Sequence, residues 1–159
     1  MTTISAQTIL QWAMEIERNG EAFYRAVSAK STDREVKLLL EDLAYQEQRH
    51  LRTFERLLTA APDSALSDLP DSYRSYLETA LANALTGPDK GMSLARQAQT
   101  EEQALHAAMA FEKDTLLFFY ELAEVVGEAH KGTIRAVIDE ERDHLRQLAR
   151  VLQSGPWVP

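Results

Sequence analysis

Apolar residues recur at alternating steps of three and four over four long stretches of the chain, the spacing of one buried face on an α-helix. The pattern predicts helices over about Thr3 to Ala29, Asp33 to Thr59, Glu101 to Val126 and Thr133 to Gln153. Local signals frame them. Thr32-x-x-Glu35 reads as a capping box, and Thr100 reads as an N-cap with Gln103 three residues on. Gly127 reads as a C-terminal stop, and Ser154-Gly155-Pro156 ends the last pattern. After the second helix a break is expected at Ala61-Pro62-Asp63-Ser64. The connection from Pro62 to Ser93 is about as long as a helix. It carries its own helical stretch near Asp71 to Leu85, closed by Gly87-Pro88. Alternating apolar and polar runs are absent, so no strand is expected. The expected architecture is all-α: a four-helix bundle of two antiparallel hairpins joined by a long crossover containing a short helix.

Writing out each stripe exposes an irregularity. The first is Leu10, Ala13, Glu17, Gly20, Tyr24, Val27; the second is Val36, Leu39, Leu43, Glu47, His50, Phe54, Leu57. The third is Leu105, Ala108, Glu112, Thr115, Phe119, Leu122, Val126; the fourth is Ile134, Val137, Glu141, His144, Leu148, Val151. Each stripe carries a Glu near its middle, and the second and fourth carry a His three residues later, on the same helix face. The motif Glu-x-x-His therefore occurs twice, as Glu47 with His50 and Glu141 with His144, each followed by Leu-Arg. The hairpins also match each other elsewhere. Glu17 with Phe23-Tyr24 parallels Glu112 with Phe118-Phe119, a twofold repeat of a helix pair.

Four carboxylates and two imidazoles are thus predicted to meet at one level of one core. Ionised carboxylates gathered in a dry interior are very costly unless protonated, hydrated or neutralised by cations. Two divalent ions would balance four Glu, with two neutral His completing the ligands. Oxygen and imidazole donors suit iron or manganese, and zinc is compatible. A single Glu-x-x-His is a weak motif, but two copies in register with further in-register Glu are specific. Glu15, Glu21, Glu41, Glu55, Glu124, Glu128 and Glu140 fall off the stripes and read as solvated surface. His106 and His130 read as exposed or cap residues. Tyr24 has two readings: core packing, or a hydroxyl that hydrogen-bonds a ligating carboxylate from behind. Phe23, Phe54, Phe118, Phe119 and Trp12 read as core or interface.

Composition narrows the functional classes. The 159 residues are 45% apolar and 26% charged, enough for one domain spanning residues 1–159. A net charge of −8 argues against nucleic acid and against anionic membranes as partners. No apolar run is long enough to span a bilayer, and no signal peptide is visible at Met1 to Gln11. The absence of Cys excludes disulfides, thiolate zinc and iron–sulfur centres in this chain, and fits a cytoplasmic protein.

These motifs, in this order and spacing, resemble the rubrerythrin family of the ferritin-like superfamily, specifically its short members without a rubredoxin domain. The carriers are Glu17 with Phe23-Tyr24, Glu47-x-x-His50, Glu112-Lys-Asp-Thr-Leu-Leu-Phe and Glu141-x-x-His144, and the resemblance covers almost the whole chain. It implies a ferritin-like bundle with a carboxylate-bridged di-iron centre. Glu17 and Glu112 would be the single ligands of the first and third helices, Glu47 with His50 and Glu141 with His144 the paired ligands of the second and fourth. Two of the Glu would bridge the metals. It also implies reduction of hydrogen peroxide or dioxygen, and a homodimer in which exchange of a hairpin is compatible with the sequence. Two departures stand out. Without Cys, any electron donor must be another molecule, a separate redox protein. Where longer members carry an additional Glu one turn after the third-helix ligand, this chain has Thr115.

The leading expectation is therefore a di-iron carboxylate oxidoreductase reducing peroxide or dioxygen with electrons from an external donor. Two further readings use the same ligands: iron oxidation followed by storage or delivery, and a manganese catalase-like activity. A scaffold with an idle site is disfavoured by the complete ligand set.

Overall fold

The computed structural model describes residues 5–60 and 70–158. The expected break at Ala61-Pro62-Asp63-Ser64 and the predicted helix start at Thr3 lie outside them. Two long helices, α1 (Ala6–Ser28) and α2 (Arg34–Ala60), form the first hairpin. The chain then passes through α3 (Asp71–Tyr76), a π-helical turn (Leu77–Ala82), α4 (Asn83–Leu85) and α5 (Lys90–Gln97). The second hairpin is α6 (Glu101–Val125) and α7 (Glu128–Ser154). No strand occurs among the described residues, and no described helix is long and apolar enough to cross a membrane.

The stripes explain the bundle. Every residue assigned to the four stripes is buried, including the polar ones. The apolar core falls into two clusters. One joins Ile9, Leu10 and Ala13 of α1 to Phe54, Phe118, Phe119 and Ile134; the other joins Phe23, Tyr24 and Val27 to Leu40, Leu43, Leu105 and Leu148. In each stripe the Glu, and the His where present, lies between the two. Burying each large side chain contributes roughly 1.5–3 kcal/mol, so the clusters clamp the polar level from both sides.

Three local expectations are corrected. The N-terminus of α2 is not a capping box built on Thr32. Asp33 Oδ1 accepts from the Val36 amide at 3.0 Å, while the Thr32 and Asp33 amides both donate to Glu101 Oε1 at the start of α6. Asp33 is thus the local cap, one residue later than expected, and a tertiary carboxylate holds the two amides before the helix. Gly127 does not stop α6 in the left-handed conformation; its φ is −59°, and it is the N-cap of α7. Consequently α7 begins at Glu128, one turn and more before the predicted Thr133. The Glu128–Lys131 ion pair at 2.7 Å supports that turn, and the acidic first residue complements the helix dipole. Thr100 does cap α6, accepting from the Gln103 amide at 3.1 Å.

The crossover is more helical than predicted. Helix α5 packs on α1, where Gly91 meets Asn19 so closely that a Cβ would lie 1.9 Å from the Asn19 carbonyl oxygen. Asn19 is buried, and its amide donates to the Leu85 and Gly87 carbonyls while its Oδ1 accepts from the Gly91 amide. Glu15, expected on the surface, is half-buried and accepts from the Gly87 amide at 2.8 Å. Leu77, Leu81 and Leu85 cover one apolar cluster, and Tyr73 donates to Glu121 on α6. The crossover therefore closes one side of the bundle by apolar contact and by caps on its own turns.

Candidate metal centre

All six predicted residues converge between the two apolar clusters: Glu17 from α1, Glu47 and His50 from α2, Glu112 from α6, Glu141 and His144 from α7. Each is at most 2% exposed. His50 Nδ1 lies 2.8 Å from Glu141 and 3.6 Å from Glu17; His144 Nδ1 lies 2.8 Å from Glu141, 3.3 Å from Glu47 and 3.4 Å from Glu112. The two imidazoles stack with centroids 5.6 Å apart. The side chains sort into two groups whose donor atoms lie within 4.8 Å of one another: Glu17, Glu47, His50, Glu141, and Glu47, Glu112, Glu141, His144. Glu47 and Glu141 belong to both, so they are the pair positioned to bridge. Glu17 and Glu112 each serve one side. A single chain supplies the whole set.

The donor atoms fit two cations. Both oxygens of Glu17 and Glu141, one each of Glu47 and Glu112, and Nδ1 of both His are buried without a hydrogen-bond partner. Interiors avoid such orphans unless something else satisfies them. Without metal, protons take that role. Burial, then the charge of Glu141, pushes Glu17, Glu47 and Glu112 well above the usual carboxylate range. Burial works in the same sense on Glu141, but the His144 and His50 imidazoles outweigh it and hold Glu141 low. Burial would lower His50, yet the Glu141 carboxylate 2.8 Å from its Nδ1 and the carboxylates around it raise it from 6.5 to about 9. His144 is likewise raised against burial, chiefly by Glu141. Protons thus neutralise the carboxylates of the metal-free cluster, and bound cations would displace them.

Several residues around the cluster were not found in the sequence. Glu140, expected on the surface, accepts at Oε2 from His50 Nε2 at 3.0 Å. Gln46 Oε1 accepts from His144 Nε2 at 3.1 Å. Both immediately precede a Glu-x-x-His motif, and each reaches across to the other motif's imidazole. That adjacency was the available signal. These acceptors keep the proton on Nε2 and leave Nδ1 of a neutral ring as the donor to the centre. Gly20 is the third. A Cβ there would lie 2.6 Å from Glu47 Oε2, so the missing side chain is space for that carboxylate. Tyr24 donates its hydroxyl to Glu112 Oε1, the second of its two readings, while also packing in the core. The Thr115 hydroxyl is buried without a partner. His106 is exposed, and His130 is half-buried in the first turn of α7.

A helical bundle whose four long helices each send a carboxylate into one buried layer, two with an imidazole, defines the ferritin-like carboxylate class. The rubrerythrin family matches residues 8–152, and the chain belongs to that family. Its structure is also similar to that of a ferritin-like diiron-carboxylate protein from Thermotoga maritima. The TM-score is 0.74 and the identity 28%, over 96% of this chain and 97% of that one. No curated protein matches the chain at a significant level.

Proposed function

We propose that the chain is a di-iron carboxylate oxidoreductase that reduces hydrogen peroxide or dioxygen, with Glu17, Glu47, His50, Glu112, Glu141 and His144 as the metal ligands. The observation that carries this reading is the set of buried donor atoms without partners, all aimed into one layer. When bound, two iron ions supply the electrons and the Lewis acidity for the reduction. The protein's part is to hold the ions and manage protons. Glu47 and Glu141 would serve both positions, and Glu17, whose oxygens have no hydrogen-bond partner, would be free to adjust its contact as the charge of the centre changes. Tyr24 holds Glu112 in place from behind. The apolar clusters on either side exclude bulk water, which strengthens charge interactions within the layer. The electron source in this reading is a separate redox protein; these 159 residues contain no Cys to hold an iron–sulfur centre.

The reading includes a homodimer of single-domain chains. Leu38, Tyr45, Leu117 and Tyr120 are large side chains left exposed, and they support burial against a second copy; light-scattering mass tests this. The chemical test is anaerobic stopped-flow mixing of the iron-loaded, reduced protein with peroxide. Fast oxidation in the wild type and none above background in a Glu47→Ala, His50→Ala double variant is expected. Equal rates in the two proteins would sink the reading. Metal analysis of protein purified without chelators, together with an oxygen-evolution assay, separates iron from a manganese catalase-like alternative.

A further inference from the structure

The two metal positions share Glu47 and Glu141, so any difference between them must come from the residues they do not share. Those differ in two independent ways. On one side His50 Nε2 donates to the Glu140 carboxylate at 3.0 Å; on the other His144 Nε2 donates to the neutral Gln46 carbonyl at 3.1 Å. A carboxylate behind an imidazole raises its electron density and its strength as a ligand more than an amide does. The single carboxylates differ in the same sense. Neither oxygen of Glu17 has a hydrogen-bond partner, whereas Glu112 accepts from the Tyr24 hydroxyl, which draws charge from it. Arg49 lies 3.6 Å from Glu140, but on Oε1, leaving Oε2 to the imidazole.

We propose that the two positions bind unequally: the one built on His50 and Glu17 takes its ion first and more tightly than the one built on His144 and Glu112. This rests on the di-metal reading above. Glu140 and Gln46 act here as positioning residues that set ligand strength through the two imidazoles. Outer partners of this kind alter metal affinity about 10- to 100-fold, and a separation of that order between the two binding steps is expected.

The test is titration of the metal-free full chain with cobalt(II), following heat and the visible absorption of the bound ion. Wild type should bind two ions in resolved steps. Glu140→Gln should weaken the first step about tenfold and bring the two together, while Gln46→Glu should strengthen the second step. Opposite effects from the two substitutions, with unchanged melting of the metal-free proteins, would separate ligand tuning from a merely structural role. Two ions bound with Glu140→Gln leaving both steps unchanged, or weakening only the second, would overturn the inference while preserving the di-metal reading. Failure of wild type to bind cobalt(II) at all would overturn both.

Discussion

In the first hairpin, Glu17 is followed three residues on by Gly20 and seven on by Tyr24; in the second, the corresponding positions after Glu112 are Thr115 and Phe119. Ahead of the Glu-x-x-His motif the first hairpin places Gln46 and the second Glu140. The two halves therefore agree at every candidate ligand and differ at these three pairs of neighbouring positions. On the di-metal reading the agreement follows from charge: two cations in one layer would ask the same of both halves. The difference follows from space and hydrogen bonding, which each ligand can satisfy separately. Gly20 makes room for Glu47, a carboxylate common to both candidate groups. Thr115 fills the equivalent place with a hydroxyl that has no partner. Tyr24 gives Glu112 a donor, while its counterpart Phe119 packs on Phe54 and Phe118.

The largest effects should come from breaking the symmetry at the ligands. Glu141 touches both imidazoles and belongs to both groups, so Glu141→Ala is expected to abolish binding at both positions. Glu17→Ala should leave one ion bound. Metal content by plasma mass spectrometry decides this, and equal losses in the two variants would contradict the assignment of Glu141 as shared.

Protonation gives the next largest effect. With its folded value raised from 6.5 to about 9, His50 stabilises the metal-free protein below about pH 6.5. That contribution is lost as pH rises through about 9, and amounts to about 3 kcal/mol at 1.36 kcal/mol per unit. Glu17, Glu47 and Glu112, also raised, act in the same direction from about pH 4.5 upward. Glu141, held low, contributes stability already present above about pH 4.5. Metal-free protein should thus melt at lower temperature as pH rises from 6.5 to 9. Metal-loaded protein should hold or gain over the same range, because bound ions displace those protons. Parallel melting curves for the two forms would refute the account.

Exchanging the aromatic pair tests the hydrogen bond alone. Tyr24→Phe removes a buried donor to Glu112 and should cost about 1–3 kcal/mol in urea unfolding of the metal-free protein. Phe119→Tyr places a hydroxyl where the native residue packs against apolar neighbours, and should cost about 1–3 kcal/mol. A neutral Tyr24→Phe change would mean that the hydroxyl does nothing for Glu112.

The smallest contrast is between Gly20 and Thr115. Gly20→Ala forces Glu47 to shift from a 2.6 Å approach and should weaken metal binding about tenfold, roughly 1.4 kcal/mol. Thr115→Ala removes an unpartnered hydroxyl and should alter metal-free stability by less than about 0.5 kcal/mol, or raise it. Calorimetric titration and thermal melting read the two. A larger loss from Thr115→Ala than from Gly20→Ala would reverse the reading of these positions.

Much of the candidate site was legible in the chain itself, because burial on a helix is periodic. Glu17, Glu47, His50, Glu112, Glu141 and His144 could be placed in the core from spacing alone, since each keeps step with Leu, Val, Ile and Phe residues on either side. The same logic misassigned Glu140 and Glu15. Both fall off a stripe, yet one meets an imidazole on another helix and the other caps a turn of the crossover. It also overlooked α5, whose contact with α1 depends on Gly91 fitting against the Asn19 backbone. At Thr32 and Gly127 the local cap signals pointed to the wrong partners, because Glu101 and the start of α7 compete for the same backbone groups.

The sequence by itself determined four amphipathic helices, their pairing into hairpins, and the six polar residues turned into a common layer. All of these follow from the period of one helix and the cost of burying charge. Tertiary structure alone decided which carboxylates belong to both candidate groups, which acceptor stands behind each imidazole, and where a missing Cβ leaves room. Those outcomes depend on how far one helix is rotated and shifted against another. That is set by the packing of both apolar clusters together, and no single stripe records it.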